Sequence, residues 1–255
     1  MLHRNLSKIL VVVFIFVAGS ASLRASNDDD NENGFFEKLM DKLEHKKNVF
    51  AFDDAEIIFE QNATDGDVEV VIFAKLEDSA AGMQQFWLFG PNGKVVYKFR
   101  SPKNNQNIGG REIVVESPEP SDMTIVKEAY PEGTYTFVAK SFGKEWFLSE
   151  ANLSHVLPDV SITSPLADTN VSIWEFDVTW SPVMGKFPPE KFIVELVNEE
   201  SDLEEELLVD IPVDRRSFRA PEEWMVPGTE YQVVVGIVNE FGNKTFRELN
   251  VIATK

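Results

Sequence analysis

Residues 174–180 have the sequence Trp-Glu-Phe-Asp-Val-Thr-Trp, in which apolar and polar residues alternate without a break. Successive side chains of a β-strand point to opposite faces of its sheet, so this period of two predicts a strand with one buried face. We expect Trp174, Phe176, Val178 and Trp180 to form the inward row. The stretch indicates a fold built from half-buried strands.

Similar period-two patterns lie on both sides of this stretch, from residue 50 onward. Asp65-Gly66 and residues 91–93 (Pro-Asn-Gly) separate neighbouring patterns, and both are typical of tight turns. Residues 122–129 fit one or two helical turns. The predicted strands are residues 56–61, 67–76, 85–89, 94–99, 111–116, 133–141, 146–153, 174–180, 192–196, 207–213, 217–219, 231–237 and 246–253. The fold class is therefore predicted to be all-β.

A weak internal repeat indicates two related domains. Residues 131–135 (Pro-Glu-Gly-Thr-Tyr) and 227–231 (Pro-Gly-Thr-Glu-Tyr) each open a predicted strand that leads to a Phe-Gly turn, at Phe142 and Phe241 respectively. This order is typical of the end of an immunoglobulin-like sandwich, where a corner Tyr hydrogen-bonds to the backbone. We therefore predict one β-sandwich for each repeat.

The second half of the chain resembles the fibronectin type III family. Residues 178–183 (Val-Thr-Trp-Ser-Pro-Val) are similar to the family's second strand, and residues 191–194 (Lys-Phe-Ile-Val) to the strand that follows it. Residues 226–233 (Val-Pro-Gly-Thr-Glu-Tyr-Gln-Val) are similar to the strand that carries the corner Tyr. The resemblance covers residues 158–255 and implies seven strands, but it implies no particular function, because this fold serves many.

The chain after its leader also resembles a group of uncharacterised exported bacterial proteins with a C-terminal fibronectin type III-like domain. The strings that carry this resemblance are residues 62–67 (Asn-Ala-Thr-Asp-Gly-Asp), 89–94, 130–135 and 240–245. Gly90 departs from the Asp that the group's pattern has before Pro. The group has no assigned activity, so the resemblance implies no catalytic residues.

The first residues predict a cleavable signal peptide. Arg4 and Lys8 precede an uncharged apolar run at residues 9–18, and small residues follow it. Gly19 and Ala21, or alternatively Leu23 and Ala25, have the spacing of a signal peptidase site. The alternative is a membrane anchor, but the run is shorter than the roughly 20 residues that a spanning helix needs. We expect a secreted or periplasmic protein without stable membrane insertion after cleavage.

A short amphipathic helix is predicted after the leader. Residues 27–33 are polar and charged, which indicates a disordered spacer. Residues 34–48 then place apolar side chains at helical spacing on one face. Those side chains are Phe35, Phe36, Leu39, Met40 and Leu43. The helix is expected to dock on its own first domain or on a partner.

These observations divide the chain into four segments. They are a signal peptide at residues 1–25, an acidic linker with an amphipathic helix at 26–49, an N-terminal β-sandwich-like domain at 50–157, and a fibronectin type III-like domain at 158–255. The boundary between the sandwiches is placed at residues 157–159, Leu-Pro-Asp.

Residues 86–89 (Phe-Trp-Leu-Phe) are apolar on both faces of a predicted strand. One face must then be exposed unless another element covers it. Trp87 and Phe89 are either covered by the helix or the neighbouring domain, or form an exposed aromatic strip that grips a sugar or a protein.

Composition argues against several classes of chemistry. The sequence has no Cys and three His, and it lacks a nucleophile elbow, a zinc-protease motif and a phosphate-binding loop, so we predict no catalytic residue and no cofactor. The formal charge of −19 disfavours nucleic acid as a partner. His45 and His155 have no catalytic neighbours in sequence.

The turn at residues 62–67 is a candidate metal site. Asn62, Thr64, Asp65 and Asp67 offer the hard oxygen ligands that calcium prefers, although their spacing does not match an EF-hand. A hairpin turn explains the same residues without a metal, and no metal ligand is predicted here.

The sequence thus predicts an exported non-catalytic binding or interaction protein with an unknown protein or glycan partner. The alternatives are an accessory or catalytic protein that acts on extracellular polysaccharide or another polymer, and a purely structural spacer that holds an assembly at the cell surface.

Overall fold

The structure is a computed structural model that describes residues 29–102, 109–120, 122–183, 188–201 and 206–255. The predicted signal peptide lies outside the described residues and stays a prediction. Within the described ranges, no helix has the length and apolar character needed to cross a membrane.

The first part of the chain contains two helices and eight strands. Their bounds are α1 (Asp29–Glu44), β1 (Val49–Phe50), β2 (Asp54–Asn62), β3 (Asp67–Lys75), β4 (Met83–Phe89), β5 (Val95–Arg100), β6 (Glu112–Glu116), α2 (Met123–Ala129), β7 (Gly133–Ser141) and β8 (Trp146–Leu153).

The second part is made of strands and one short 3₁₀ turn. Their bounds are β9 (Asp159–Ser164), β10 (Thr169–Ser172), β11 (Asp177–Val183), β12 (Pro189–Asn198), β13 (Glu206–Pro212), β14 (Ser217–Arg219), the 3₁₀ turn (Glu222–Trp224), β15 (Glu230–Asn239) and β16 (Lys244–Thr254).

Each part forms a β-sandwich with its own core. In the first, β1-β8-β7-β4-β5 faces β2-β3-β6, and the rings of Phe59, Phe86 and Phe137 fill the space between the two sheets. In the second, β14-β11-β9 faces the strands β13-β12-β15-β16, and Trp180 and Phe192 lie between them. The prediction of two tandem immunoglobulin-like, fibronectin type III-like sandwiches is confirmed.

A corner tyrosine closes each sandwich, as the repeat predicted. The Tyr135 hydroxyl donates to the Pro131 carbonyl at 2.9 Å, and the Tyr231 hydroxyl accepts from the Val226 N–H at 2.9 Å. Both rings are fully buried. Each hydroxyl therefore has a backbone partner, which removes most of the cost of burying a polar group.

Trp174 departs from the predicted inward row. Phe176, Val178 and Trp180 are buried as expected, but Trp174 is 57% exposed. The backbone turns before the strand begins, because the Glu175 N–H donates to the Ser172 carbonyl at 3.2 Å. The alternating pattern therefore begins at Trp174, earlier in the sequence than the strand, which begins at Asp177.

The helix α1 is longer at its start and shorter at its end than predicted. It begins at Asp29 and ends at Glu44, so the prediction of a disordered spacer over residues 27–33 is wrong from residue 29 onward. Extending a nucleated helix adds one hydrogen bond per residue fixed, which explains how a polar segment continues it.

The apolar side of α1 packs on the first domain. Leu39 and Leu43 are buried against Phe89, Val138 and Trp146, which lie on the outer face of the sheet that contains β4, β7 and β8. The helix thus docks in cis and forms a third layer over this sheet.

We predict that Leu43→Ala lowers the free energy of unfolding by about 2–4 kcal/mol, because it leaves a cavity under the helix. Chemical denaturation followed by tryptophan fluorescence measures the change. Glu37→Ala, on the exposed side of the same helix, is the control and is expected to stay within about 0.5 kcal/mol of wild type. A wild-type midpoint for Leu43→Ala would show that α1 is not part of the cooperative unit.

Candidate interaction surface

The two sandwiches share one sheet. Strand β2 of the first domain pairs in parallel with β16 of the second, with Lys244 opposite Glu60, Thr245 opposite Gln61 and Phe246 opposite Asn62. The resulting order is β13-β12-β15-β16-β2-β3-β6. The domains therefore present a continuous surface rather than two separate ones.

Two buried asparagines hold this junction together. The Asn243 side-chain carbonyl accepts from the Phe59 N–H at 2.8 Å. Its amide donates to the carbonyls of Ser154 at 2.8 Å and Val156 at 2.9 Å. The Asn239 amide also donates to the Val156 carbonyl, at 2.8 Å. These bonds fix the interdomain segment and β2 to the turn between β15 and β16.

Polar and charged side chains of β16 extend the junction beyond these asparagines. The Thr245 hydroxyl donates to the Pro158 carbonyl at 2.7 Å. Arg247 donates to the Ala63 carbonyl at 2.9 Å and forms an ion pair with Asp159 at 3.2 Å. Two chain segments, residues 59–63 and residues 154–159, are thereby held to β16 and the turn before it.

His155 has a structural position in this junction. Its ring stacks on Phe59, with ring centroids 4.9 Å apart and an interplanar angle of 7°. Its Nε2 lies 2.8 Å from the Tyr130 carbonyl oxygen. The contacts of His155 are those of a packing residue. His45, directly after α1, lies 3.8 Å from Asp41 and is exposed.

We call the outward side of the shared sheet the joined face. Cross-strand registers place its residues in rows that run through both domains. One row contains Lys191, Val238, Lys244, Glu60 and Glu69. The sheet has seven strands in this path, and at the usual strand spacing they span about 30 Å.

Carboxylates crowd the first-domain half of the joined face. Glu69 lies directly opposite Glu60 across the β2–β3 ladder, and like charges in that position destabilise a sheet. Burial, followed by the charges of Glu60, Glu119 and Glu116, raises the pKa of Glu69 to about 8. Lys244 forms an ion pair with Glu60 at 2.9 Å, which leaves Glu69 without a direct cationic partner among the described residues.

Glu195 occupies the second-domain half of the same face. Only 5% of the residue is exposed, and within the described ranges its carboxylate has neither a hydrogen bond nor an ion pair. Burial raises its pKa to about 7, with further contributions from the charges of Glu206, Glu60 and Glu248. A carboxylate buried without a counter-ion is costly when ionised, so this position needs an explanation.

An apolar cluster lies beside Glu195. Ile193, Val234, Val238 and Phe246 contact one another on the outward side of the sheet. Gly236 makes this packing possible, because a Cβ at that position would lie 2.5 Å from an atom of the Phe246 ring. The joined face thus has an apolar centre with acidic residues around it.

The turn at residues 62–67, the candidate calcium site, is stabilised by its own hydrogen bonds. The Asn62 side-chain oxygen accepts from the Thr64 N–H at 2.9 Å, and Gly66 has a φ of +84°. The part of the chain that the structure describes contains no group of three or more His, Cys, Asp or Glu side chains arranged to hold a metal ion. The turn interpretation explains the geometry of Asp65 and Asp67.

The aromatic strip is covered. Phe89 is fully buried, and its ring centroid lies 4.9 Å from that of Phe36 on α1. Trp87 stacks on Trp146 with centroids 6.3 Å apart and an interplanar angle of 13°. Of the two interpretations of residues 86–89, the structure supports coverage by the helix.

Sequence reasoning missed the joined face. Glu56 and Glu60 lie on the strand face opposite to Ile57 and Phe59, and this pattern predicts only that the acids on that strand face solvent. The lateral position of these acids beside Glu195 depends on the β2–β16 pairing, for which the sequence has no signal that we recognise.

No protein-family model matches the chain, and no curated protein matches it. Solved structures that align include the FN1–FN3 domains of chicken CNTN1, at 19% identity over 82% of this chain and 68% of that chain, with a TM-score of 0.33. A two-domain fibronectin type III segment of chicken tenascin aligns at 13% identity over 79% and 98% of the two chains, with a TM-score of 0.28.

A tetra-tandem repeat from the extending region of a large adhesion protein aligns at 10% identity, over 77% of this chain and 48% of that chain, with a TM-score of 0.28. Alignments with TM-scores this low carry no argument here. The fold assignment rests on strand order and core packing, and the resemblance to exported bacterial proteins stays a prediction.

We predict that Asn243→Ala lowers the free energy of unfolding by about 2–4 kcal/mol, because it leaves the Phe59 N–H and the Ser154 carbonyl without these partners and removes one of two donors to the Val156 carbonyl. Calorimetry measures the loss, and small-angle scattering is expected to show a wider distribution of interdomain distances. Asn170→Ala, at an exposed position of β10, is the control. Unchanged stability and scattering for Asn243→Ala would contradict the role given to the junction.

We predict that Glu195→Gln stabilises the protein at pH 8 by about 2–3 kcal/mol, and by less than about 1 kcal/mol at pH 5. Because the folded pKa lies above the unfolded value of 4.5, the unfolded chain loses this proton first. Stability is therefore lost as the pH rises from about 4.5 to about 7. Denaturation of wild type and variant at both pH values measures the difference.

Glu150→Gln is the matched control for that substitution, because Glu150 is exposed on β8, in the other sheet of the first domain. It is expected to change stability by less than about 0.5 kcal/mol at either pH. Equal effects of the two substitutions would show that net charge, rather than the burial of Glu195, controls the pH dependence.

Proposed function

We propose that this protein is an exported, non-catalytic interaction protein whose two sandwiches act as one unit to display the joined face. One observation carries the proposal, namely the direct pairing of β2 with β16 that makes a single sheet from two domains. Export follows from the predicted leader, and the secreted or periplasmic location is part of the proposal.

The chemistry of the junction supports a fixed interdomain geometry. Asn239, Asn243, Lys244 and Thr245 are all buried there, and burial of such groups is favourable only when their hydrogen bonds are made. Each one contacts the interdomain segment, the first domain or its own turn. A flexible link between domains would need none of these partners. The arrangement therefore suits a protein that presents a defined surface.

A protein partner fits the displayed surfaces better than a glycan. Carbohydrate recognition relies on exposed aromatic rings, and the strip at residues 86–89 is covered by α1. The exposed rings of Phe50, Phe99 and Trp174 lie outside the strands of the joined face. That face offers carboxylates around an apolar cluster that is itself largely buried. No observation in the structure favours the alternative of an enzyme or accessory protein acting on extracellular polymer.

Capture followed by cross-linking tests this function. Immobilised mature protein, residues 26–255, is incubated with culture fluid and envelope extract, and retained proteins are cross-linked and identified. We expect a retained partner whose cross-links map to both domains, and weaker capture by Asn243→Ala than by Asn170→Ala. Turnover of an extracellular polymer by the purified protein at an enzymatic rate would contradict the proposal.

A further inference from the structure

The joined face has an excess of negative charge that its own lysines do not balance. By strand register, its carboxylates are those of Asp54, Glu56, Glu60, Asp67, Glu69, Glu112, Glu116, Glu195, Glu206, Asp210, Glu230 and Glu248. On the same described strands, the lysines that face outward are Lys75, Lys191 and Lys244.

Each of these lysines already has an acidic partner. Lys75 lies 3.5 Å from Asp53, Lys191 lies 3.0 Å from Asp210, and Lys244 lies 2.9 Å from Glu60. The remaining carboxylates repel one another, and the pKa values of Glu56, Asp67 and Glu206 are raised, with burial as the first cause of each. The joined face can therefore accept additional positive charge from a ligand.

Glu195 is a second, independent observation that points to a cationic ligand. The residue is only 5% exposed, and no donor among the described residues reaches its carboxylate. Its oxygens keep a small contact with solvent, so the carboxylate is accessible to a ligand, whereas surface acids elsewhere on the protein are fully solvated. An incoming ammonium or guanidinium group would replace that water with a charge-assisted hydrogen bond.

The neighbours of Glu195 define a second requirement for the ligand. Leu208 lies directly opposite Glu195 on β13 and is 37% exposed. Val234 lies opposite it on β15 and belongs to the apolar cluster. A bare cation would neutralise the carboxylate but would not contact the apolar neighbours. A lysine or arginine side chain does both, because its methylene stem packs on apolar surface while its charged head reaches the carboxylate.

We propose that the joined face docks a basic segment of a partner protein, with one lysine or arginine side chain inserted at Glu195 and others facing Glu69 and its acidic neighbours. The inference rests on the proposed interaction function and names the chemistry of the partner. Charge complementarity of this kind also accelerates association.

Other occupants fit the face less well. A second copy of this chain would place the same acidic surface against itself in a two-fold interface, and the like charges would repel. Nucleic acid and other polyanions are repelled for the same reason. A divalent cation needs several carboxylates around one point, and no such group of three occurs in the described ranges.

A labelled peptide of twelve residues with alternating Lys and Val serves as the probe, and its affinity is measured by fluorescence anisotropy at about 50 and 150 mM salt. We expect salt-dependent binding to wild type. We expect Glu195→Gln to weaken it about tenfold and Glu69→Gln severalfold, whereas Glu150→Gln changes it less than twofold. Glu195→Gln is expected to be at least as stable as wild type, so lost binding would not reflect unfolding.

Three results would overturn the inference. The first is equal affinity of the three variants, which would show attraction to net charge alone. The second is the absence of binding at low salt. The third is that the wild-type protein dimerises, or binds Ca²⁺ and not the peptide, and that Glu195→Gln abolishes this dimerisation or Ca²⁺ binding. If a partner captured from envelope extract is retained equally by wild type and Glu195→Gln, the docking inference fails while the proposed function stands.

Discussion

The architecture depends on the buried side chain of Asn243. Its oxygen and amide together satisfy a backbone N–H of β2 and two carbonyls of the interdomain segment. A buried polar group is stabilising only when all its partners are in place, so these bonds exist in one relative arrangement of the domains. Together with the β2–β16 pairing, this side chain therefore fixes the two sandwiches in one relative arrangement.

The consequence for electrostatics is that each domain perturbs the other's carboxylates. Glu195 belongs to the second domain, yet the charge of Glu60 in the first contributes to its raised pKa. Lys244, from the second domain, neutralises Glu60 and thereby limits the repulsion that Glu69 experiences. Separating the domains would relax this crowding and would also remove the ion pair. The acidic character of the joined face is therefore a property of the assembled pair.

The fold could largely be predicted from the sequence because it follows from local patterns. Period-two alternation identified most of the strands, and the two corner tyrosines identified the end of each sandwich. Trp174 shows the limit of that method, because alternation continues into a turn where the backbone no longer forms a strand. The joined face could not be predicted, because the β2–β16 pairing joins residues roughly 184 positions apart through backbone groups, which carry no residue-specific signal.

The presence of a glutamate at position 195 is difficult to explain by folding alone. Glutamine has nearly the same shape and carries no charge, and an apolar residue would extend the cluster of Ile193 and Val234 beside it. Either replacement would remove the cost of a buried, unpaired carboxylate at neutral pH. Destabilising polar groups persist in proteins mainly where they have a use, and here the group lies on the surface that both domains combine to form. The same carboxylate that weakens the free protein is the one that would contribute most when a cationic side chain reaches it, because burial has already reduced its contact with water.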